Sequence, residues 1–377
     1  MSATLRIGVA GAARGGGYTV GIQALHPRAA LSAVYDPNPD AGERFVAAHP
    51  EARRCESFAE LIDAVDAVIL ASPQHHHAAQ AAFALERGVH VLSEVPAAVS
   101  MEQVNQLLAA TRTSSATYML SENYCYSRPN LLVREVVRAG LLGELYFGES
   151  EYLHEMKSAQ RLPDGQPSWR SIWQVGRDGH TYPTHSLGPL LQWMDDRVTA
   201  VSCMGSGHHV APQHEIQDTV TLTARTRKGA LLRIRLDLLS NRPHLLDYYA
   251  VQGTLGSYES ARTEGESPRI YLHEPGKKLE WEPLEVHTDR FLPERYARPP
   301  EGSGHWGSDA WPVMDFVDAV VEGRQVELDV YTALDMTLPG IVSEASIATN
   351  GAWLPVPDPR TLTAGIGTEP GREAPRA

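Results

Sequence analysis

The sequence contains very little lysine. Only four of its 377 residues are lysines, and none of them lies within the first 156 residues. Arginine therefore carries nearly all of the positive charge. Because an arginine side chain stays protonated near pH 7, it cannot exchange protons with a substrate as lysine can. A proton transfer in the N-terminal part of the chain must use a different kind of side chain.

The chain is also poor in cysteine and has no long apolar segment. Its three cysteines, Cys55, Cys125 and Cys203, lie far apart and lack metal-site spacing, so we predict free thiols and a cytoplasmic location. No apolar stretch approaches the length of a membrane span, and the N-terminus lacks the pattern of a signal peptide. The formal net charge of −13 disfavours nucleic acid and anionic membranes as partners.

The first third of the chain alternates short apolar strands with helical patterns. Helices are predicted between strands at 5–11, 31–36, 67–72, 89–94 and 116–123. Strands that alternate with helices form βαβ units and a parallel sheet. The predicted fold class is therefore α/β, with an N-terminal Rossmann dinucleotide-binding domain over residues 1–122.

The pattern changes after residue 122. Further strands are predicted at 145–153, 198–205, 218–227, 230–239 and 246–253, and two long helices are predicted at 310–323 and 331–349. We therefore predict a C-terminal α+β domain over residues 123–360 with a largely antiparallel open sheet. Such sheets often bury a face in a partner subunit, so a homo-oligomer is expected. Residues 361–377 lack apolar periodicity and are predicted to be a disordered tail.

A glycine-rich turn follows the first strand. The segment GVAGAARGGG fits the G-x-G-x-x-G pattern with Gly11, Ala13 and Gly16, and Gly15 adds a further small residue. Small residues let the backbone approach a pyrophosphate at a helix N-terminus. Asp36 ends the next strand, where an acid binds a ribose 2′-hydroxyl and repels a 2′-phosphate. NAD is therefore the predicted cofactor, and the alternative is a glycine-rich loop that binds nothing.

Two segments resemble motifs of a known family. ASPQHHHAAQAAFALERGVHVLSEVPAA resembles the TPNxxHxxxAxxALxxGKHVxxEKPxA segment of the glucose–fructose oxidoreductase/inositol dehydrogenase/MocA-like family, and VQGTLGSYE resembles its GTxGxxE element. The resemblance extends over nearly the whole chain. It implies a catalytic lysine in the EKP motif, where this chain has Val95. It also implies that Ser72, His77 and Asn123 lie near the cofactor.

Three further motifs resemble one branch of that family. SEVPAAVS, LSENYCYS and TYPTHSLGP resemble the NAD-dependent glycoside hydrolases typified by α-N-acetylgalactosaminidases. That branch carries EVP in place of EKP and a Tyr-x-x-His-x-x-Gly-Pro motif, which here comprises Tyr182, His185, Gly188 and Pro189. The resemblance implies that NAD is recycled within each turnover. Sugar C3 is oxidised, the aglycone is eliminated from C1, water adds, and C3 is reduced again.

Tyr182 and His185 are the predicted catalytic pair. Histidine is the usual proton acceptor near neutrality, and a positioned tyrosine can act as an acid or a base. The helical pattern of SLGPLLQWM puts His185 near a helix N-terminus, which favours the neutral base form. The alternatives are a capping or core histidine and a buried tyrosine with one hydrogen bond.

Other side chains are predicted to bind the cofactor or the substrate. Glu94, at the end of a buried strand, can accept a hydrogen bond from the nicotinamide carboxamide or ribose, or it can cap the following segment. Arg14 can reach a cofactor phosphate. The candidates for a carbohydrate site, where aromatic and basic groups are favoured, are Lys157, Trp169, Arg170 and Trp173. For the tryptophans and Arg170 the alternative is packing between the domains, and for Lys157 it is a surface position. His305 and Asp309 can also line the cleft.

Three functions are compatible with the sequence. The preferred one is a carbohydrate-active enzyme with tightly held NAD that works by oxidation, elimination, water addition and re-reduction. The second is a net sugar or cyclitol dehydrogenase with exchangeable NAD, which the missing lysine disfavours. The third is a non-catalytic NAD or sugar sensor, for which Tyr182 and His185 are dispensable. No metal site is predicted, because the histidines at 75–77 lack a partner with metal-ligand spacing.

Overall fold

The computed structural model describes residues 4–263, 265–276 and 278–362. It contains two sheets, one of six strands and one of nine. Most of the predicted tail, from residue 363 onward, lies outside the described residues, and the predicted domain division at residues 122 and 123 stays a prediction. Within the described part of the chain, no helix has the length and apolar character needed to cross a membrane.

The first sheet is parallel, as the alternating pattern predicts. Its strands are β1 (Leu5–Ala10), β2 (Ala29–Tyr35), β3 (Arg53–Arg54), β4 (Ala67–Leu70), β5 (His90–Ser93) and β6 (Tyr118–Leu120). The helices that alternate with them are α1 (Ala12–Gly15), α2 (Thr19–Gln23), α3 (Pro39–Ala48), α4 (Phe58–Ala64), α5 (His77–Leu85) and α6 (Met101–Thr113). The strand order is β3-β2-β1-β4-β5-β6, and every adjacent pair is parallel.

Local sequence explains most of these elements. Strand β4 reads AVIL and is buried throughout, as expected of a strand with helices on both faces of its sheet. Helices α3, α4 and α6 each begin with a side chain that accepts a backbone hydrogen bond, namely Asn38, Ser57 and Ser100. Because the strands are parallel, their carboxyl ends share one edge of the sheet, and Asp36, Glu94 and Glu122 follow strands at that edge.

The second sheet is antiparallel except at one strand pair. Its strands are β7 (Leu145–Leu153), β8 (Val198–Gly205), β9 (Val220–Thr226), β10 (Leu231–Asp237), β11 (Leu245–Gly253), β12 (Gly256–Glu259), β13 (Arg269–Leu272), β14 (Glu282–Pro283) and β15 (Leu354–Pro355). Their order is β14-β13-β12-β11-β7-β10-β9-β8-β15. Strands β7 and β10 run parallel. The predicted α+β half with a largely antiparallel sheet is therefore confirmed.

Six further α-helices lie in this part of the described chain. They are α7 (Arg128–Arg138), α8 (Arg170–Trp173), α9 (Thr184–Met194), α10 (Thr288–Phe291), α11 (Ala310–Glu322) and α12 (Val330–Ala348). Helix α9 packs closely on β7: a Cβ added at Gly148 of β7 would lie 3.3 Å from Leu190 and 3.1 Å from Met194, both on α9. Helices α11 and α12 match the two long helices predicted from the sequence, whereas α7 is absent from the sequence prediction.

The C-terminal part of the chain returns to the first sheet. A side chain at Gly21 of α2 would meet Ala310 and Val313 of α11. The backbone N–H of Leu120, at the end of β6, donates to the carbonyl of Leu328, just before α12. The segment that precedes α11 is therefore carried to the carboxyl edge of the first sheet.

Candidate active site

The glycine turn joins β1 to α1 at the carboxyl edge of the first sheet. Gly11 has a φ of 95°, which favours glycine, and a Cβ there would lie 2.5 Å from the carbonyl oxygen of Ala71. At Gly15 a Cβ would lie 2.2 Å from Cγ1 of Val9, so glycine permits the helix to pack on the strand. A Cβ added at Gly16 would have no neighbouring atom within 4 Å. The packing role of the third glycine therefore belongs to Gly15, whereas the sequence pattern assigned it to Gly16.

We expect Gly15→Ala to lower the free energy of unfolding by about 1–3 kcal/mol, because the added methyl group overpacks against Val9. Gly16→Ala is the matched control. Gly16 has right-handed helical φ and ψ angles of −56° and −30° and space for a methyl group, so we expect a change below about 1 kcal/mol. Urea denaturation measures both values. Equal destabilisation of the two variants would contradict the packing role of Gly15.

Asp36 lies beside this turn. Its Oδ2 accepts the backbone N–H of Ala12 at 2.8 Å, and its Oδ1 accepts the N–H of Asn38 at 2.9 Å. A carboxylate oxygen can accept more than one hydrogen bond, so Asp36 can also accept from a ribose hydroxyl. The left-handed Gly11, the open space at Gly16 and this carboxylate fit an NAD molecule. Among the described residues, no group of three or more His, Cys, Asp or Glu side chains could hold a metal ion.

Replacing Asp36 with alanine should reduce the preference for NAD over NADP by about tenfold or more. The variant loses hydrogen bonds to the ribose, which are worth about 0.5–1.5 kcal/mol each. It also loses the negative charge that repels a 2′-phosphate. Asp40→Ala, which removes an exposed acid from the first turn of α3, is the control. Calorimetric titration of protein freed of bound dinucleotide gives the two Kd values. Unchanged selectivity in the Asp36 variant would mean that this carboxylate does not contact the ribose.

Arg14 is held by carboxylates of the protein itself. Its Nε donates to Glu94, and its Nη1 and Nη2 donate to Asp309 at 2.8 Å and 3.0 Å. The hydroxyl of Tyr18 donates to Glu94 at 2.6 Å. Burial opposes ionisation of Glu94, but the charge of Arg14 and the hydroxyl of Tyr18 outweigh it and lower the pKa of this carboxyl. The predicted contacts of Arg14 and Glu94 with the cofactor must therefore compete with contacts inside the protein.

A cavity of about 160 Å³ opens at the carboxyl edge of the first sheet, against the ends of β7 and β10 and the start of α9. Seven of the residues that line it were singled out from the sequence, namely Arg14, Glu94, Asn123, Arg170, Tyr182, His185 and His305. The other lining residues are Tyr152, His154, Met156, Gln174 and Leu238. The fold thus brings most of the polar residues singled out from the sequence into one space.

His185 is an oriented histidine at the inner end of this cavity. It lies in the first turn of α9, and its side chain is only 9% exposed. Its Nδ1 lies 2.7 Å from Oε1 of Glu122, a buried carboxylate. We assign the proton to Nδ1, which donates to Glu122 and leaves Nε2 as an acceptor for the cavity. The hydroxyl of Tyr249 donates to the carbonyl of His185 at 2.5 Å and fixes the backbone.

Tyr182 stands edge-on to His185, with 4.8 Å between the ring centroids. Burial raises the pKa of the Tyr182 hydroxyl, and the negative charge of Glu94 raises it further. The phenol therefore keeps its proton near pH 7 and can donate it or a hydrogen bond to a ligand. The two side chains line the same cavity, and their roles as base and donor stay a prediction.

The side chain of His77 connects the segments that follow β4 and β5, and neither His77 nor Ser72 lines the cavity. The Nδ1 of His77 lies 3.0 Å from the carbonyl oxygen of Pro96, and its Nε2 lies 2.8 Å from that of Ser72. The hydroxyl of Ser72 donates to Gln80 at 2.5 Å. The Val95–Pro96 peptide bond in this region is cis. Contact of His77 and Ser72 with the cofactor stays a prediction.

Three of the four predicted carbohydrate-binding residues do not line this cavity. The ring of Trp173 stacks on His75 at a centroid distance of 5.0 Å, which is the packing alternative considered for it. Trp169 lies against the guanidinium of Arg170 at 4.3 Å. The ammonium of Lys157 lies 3.6 Å from Glu155 and donates to the side-chain oxygen of Asn241, in the segment after β10. Of the four, Arg170 faces the cavity.

Glu122 is the main site residue that sequence reasoning missed. It lies next to Asn123 in the motif LSENYCYS, but its partner His185 is 63 residues further along the chain. A short polar motif at the end of a strand was the available signal. The carboxylate became recognisable only when the fold placed it against the histidine.

The chain matches two known families of protein domains. Residues 5–122 match the oxidoreductase family with an NAD-binding Rossmann fold, and residues 126–363 match the glycosyl hydrolase 109 C-terminal domain. A glycosyl hydrolase family 109 protein from Solibacter usitatus is 29% identical over 320 residues, which cover 78% of this chain and 72% of that protein. An α-N-acetylgalactosaminidase from Shewanella oneidensis is 28% identical over 333 residues, or 80% and 71% of the two chains.

Solved structures share the same fold. A levoglucosan dehydrogenase in complex with NADH and L-sorbose superposes with a TM-score of 0.79 and 19% sequence identity, covering 95% of this chain and all of the other. At this level of identity the similarity concerns the architecture, namely a Rossmann domain followed by a domain with a large open sheet.

Proposed function

The chain belongs to the glycosyl hydrolase 109 family, and we propose that it hydrolyses a glycoside while NAD stays bound through each turnover. It is an NAD-dependent enzyme whose residues 5–122 match an NAD-binding Rossmann domain. One observation carries the proposal. Beside the carboxyl edge of that domain, His185 oriented by Glu122 shares a cavity with the protonated Tyr182.

The residues of the cavity suit oxidation followed by elimination. NAD, when bound, supplies a hydride acceptor for sugar C3 and later a donor to the same carbon. The Nε2 of His185 takes a proton from the C3 hydroxyl or from C2, whose proton a ketone at C3 acidifies. Tyr182 donates a hydrogen bond to the oxygen on C3, and Arg170 binds a further hydroxyl. The aglycone leaves C1 as a C1–C2 double bond forms, and water then adds to C1.

The missing lysine supports hydrolysis over net dehydrogenation. At the position of the EKP lysine, Val95 is 4% exposed and contributes no proton-transfer group. The nearby cation is Arg14, which stays protonated near pH 7 and is bound by two carboxylates. Proton exchange therefore depends on the histidines and the phenols of the cavity.

Release of an aglycone without added oxidant or reductant tests the proposal. Desalted protein should retain NAD and release 4-nitrophenol from one member of a panel of aryl N-acetylhexosaminides of both anomers, with no net formation of NADH. A net dehydrogenase would instead accumulate NADH from free sugars or cyclitols when NAD is supplied. A sensor would bind NAD or sugar and give neither product.

We also propose that the protein is a cytoplasmic homo-oligomer. All three cysteines are free thiols, which supports a reducing compartment. On strands β9, β10 and β11 of the second sheet, Arg225, Arg233 and Gln252 are exposed, so one face of the sheet is open to a second copy of the chain. Light scattering after size-exclusion chromatography tests this, and a single chain of 41.3 kDa would contradict it.

A further inference from the structure

The cavity holds a second pair of a histidine and a carboxylate. The Nδ1 of His305 lies 2.8 Å from Oδ2 of Asp309, and His305 lines the same cavity as His185. The two histidines reach it from different parts of the fold, His185 on α9 and His305 on the segment that precedes α11. Each has its Nδ1 turned to a buried carboxylate, so each presents its Nε2 elsewhere.

Asp309 is a fixed anion. Its side chain is 1% exposed, and it accepts hydrogen bonds from Arg14, from His305 and, at 2.8 Å, from Asn123. Burial opposes ionisation of Asp309, but the hydrogen bonds from His305 and Arg14 outweigh it and hold the pKa of this carboxyl well below its usual range. The carboxylate can therefore fix the orientation of the His305 ring.

The backbone around His305 adopts conformations that are costly for residues other than glycine. His305 has a φ of 46° and Trp306 a φ of 55°. Left-handed φ values are uncommon for bulky residues and often occur at functional sites. The result of this conformation is the contact between His305 and Asp309.

The side chains of His305 and His185 differ in their exposure to solvent. The side chain of His305 is 42% exposed, whereas that of His185 is 9% exposed. The next residue, Trp306, is 74% exposed and offers an aromatic face to solvent. A sugar ring that reacts at His185 must release its aglycone toward the open end of the cavity, where His305 lies.

A third histidine of the cavity is less suited to donate a proton. The Nδ1 of His154 pairs with the hydroxyl of Tyr152 at 2.9 Å. Burial, together with the neighbouring His244 and Arg170, lowers the pKa of His154 to about 4. His154 is therefore neutral near pH 7, and it lacks a carboxylate partner like that of His305 or His185.

We propose that His305 is the general acid that protonates the departing aglycone and the general base that then activates water, a role that rests on the proposed function. As the C1–O bond breaks, its electron pair goes to the aglycone oxygen, which takes the proton from Nε2 of His305. Nε2 of His185 takes the C2 proton as the electrons of the C2–H bond form the C1–C2 double bond. Neutral His305 then takes a proton from water as the water oxygen bonds to C1, and His185 returns a proton to C2.

The test compares leaving groups in the variant His305→Asn, because asparagine tolerates a left-handed backbone and carries no exchangeable ring proton. For a methyl glycoside, whose leaving group needs an acid, we expect kcat/KM to fall by about 10²-fold or more. For the 4-nitrophenyl glycoside of the same sugar, kcat/KM should change little. In D₂O, the recovered methyl glycoside should gain deuterium at C2, because proton removal continues while departure of the aglycone is slowed.

The control is His287→Asn, which removes another histidine that contacts a carboxylate, here Glu282 at 3.1 Å, outside the cavity. The role of His305 would be overturned if His305→Asn lost the same activity on both substrates, or lost none on either, while the wild type hydrolysed both. If the wild type releases no aglycone from either substrate, the proposed function fails and this role fails with it. Melting temperature and NAD content should match the wild type in both variants.

Discussion

His185→Ala should lower kcat for glycoside hydrolysis by about 10²–10⁴-fold, the usual contribution of a positioned general base. The reason is geometric. Nδ1 of His185 is bound to Glu122 at 2.7 Å, so Nε2 is the proton acceptor available to the cavity. Tyr182 cannot take over, because its raised pKa keeps the phenol protonated near pH 7. Steady-state kinetics on the best substrate of the aryl glycoside panel measures the loss.

The control for this variant is His208→Ala, which removes an exposed histidine from the loop after β8. It should retain wild-type kcat. The His185 variant should also retain its NAD, because the glycine turn and Asp36 are untouched. Turnover at the wild-type rate in His185→Ala would remove the general-base assignment.

Glu122→Gln should lower kcat for glycoside hydrolysis by about 10²-fold. Removing the partner that orients a functional histidine costs about 10–100-fold at metal sites and about 10⁴-fold in a serine protease triad. A glutamine amide has the same shape but can donate to Nδ1, which would put the ring proton on Nε2 and remove the acceptor from the cavity. Glu122 is a positioning residue, since it acts through His185.

A double variant distinguishes positioning from a general structural role. If Glu122 acts through His185, then Glu122→Gln should have little further effect on kcat in the His185→Ala background, because residues that act as a unit are not additive. Losses that simply multiply would contradict the positioning role. Glu102→Gln, which removes the charge of an exposed acid in the first turn of α6, is the matched control.

Much of the fold could be predicted because its patterns are local. The βαβ units of the first sheet follow from short apolar strands, and α12 at Val330–Ala348 was predicted at 331–349. Helix α7 was missed although its signals are present, namely a proline in its first turn and apolar residues at helical spacing. The parallel pairing of β7 with β10 could not be predicted, because it joins residues such as Phe147 and Leu231 that are far apart in the chain.

Part of the site could be predicted because its pattern is also local. Tyr182 and His185 lie within one short motif, so the sequence alone indicates that they act together. The partners that define their chemistry come from elsewhere, as with Glu122 and His185. Arg14 was expected to reach a phosphate, and the contact that had no sign in the sequence is the one with Asp309, a carboxylate 295 residues away. Contacts of this kind depend on tertiary structure and have no local signal.

The absence of a lysine at the end of β5 has a physical explanation in this structure. Glu94 already has a cationic partner, Arg14, and a hydroxyl partner, Tyr18, both from the glycine turn and the helix that follows it. Val95 lies in the buried core beside them. Proton exchange is therefore left to the histidines that line the cavity.

The most direct test of oxidation followed by elimination is deuterium at C2 of the released sugar. Desalted wild-type protein would be incubated in D₂O with its best aryl glycoside, and the product would be examined by NMR and mass spectrometry. We predict one deuterium at C2 of the free sugar for each aglycone released, without net NADH. Aglycone release with the C2 proton fully retained would contradict the account, because a direct displacement at C1 leaves that proton in place.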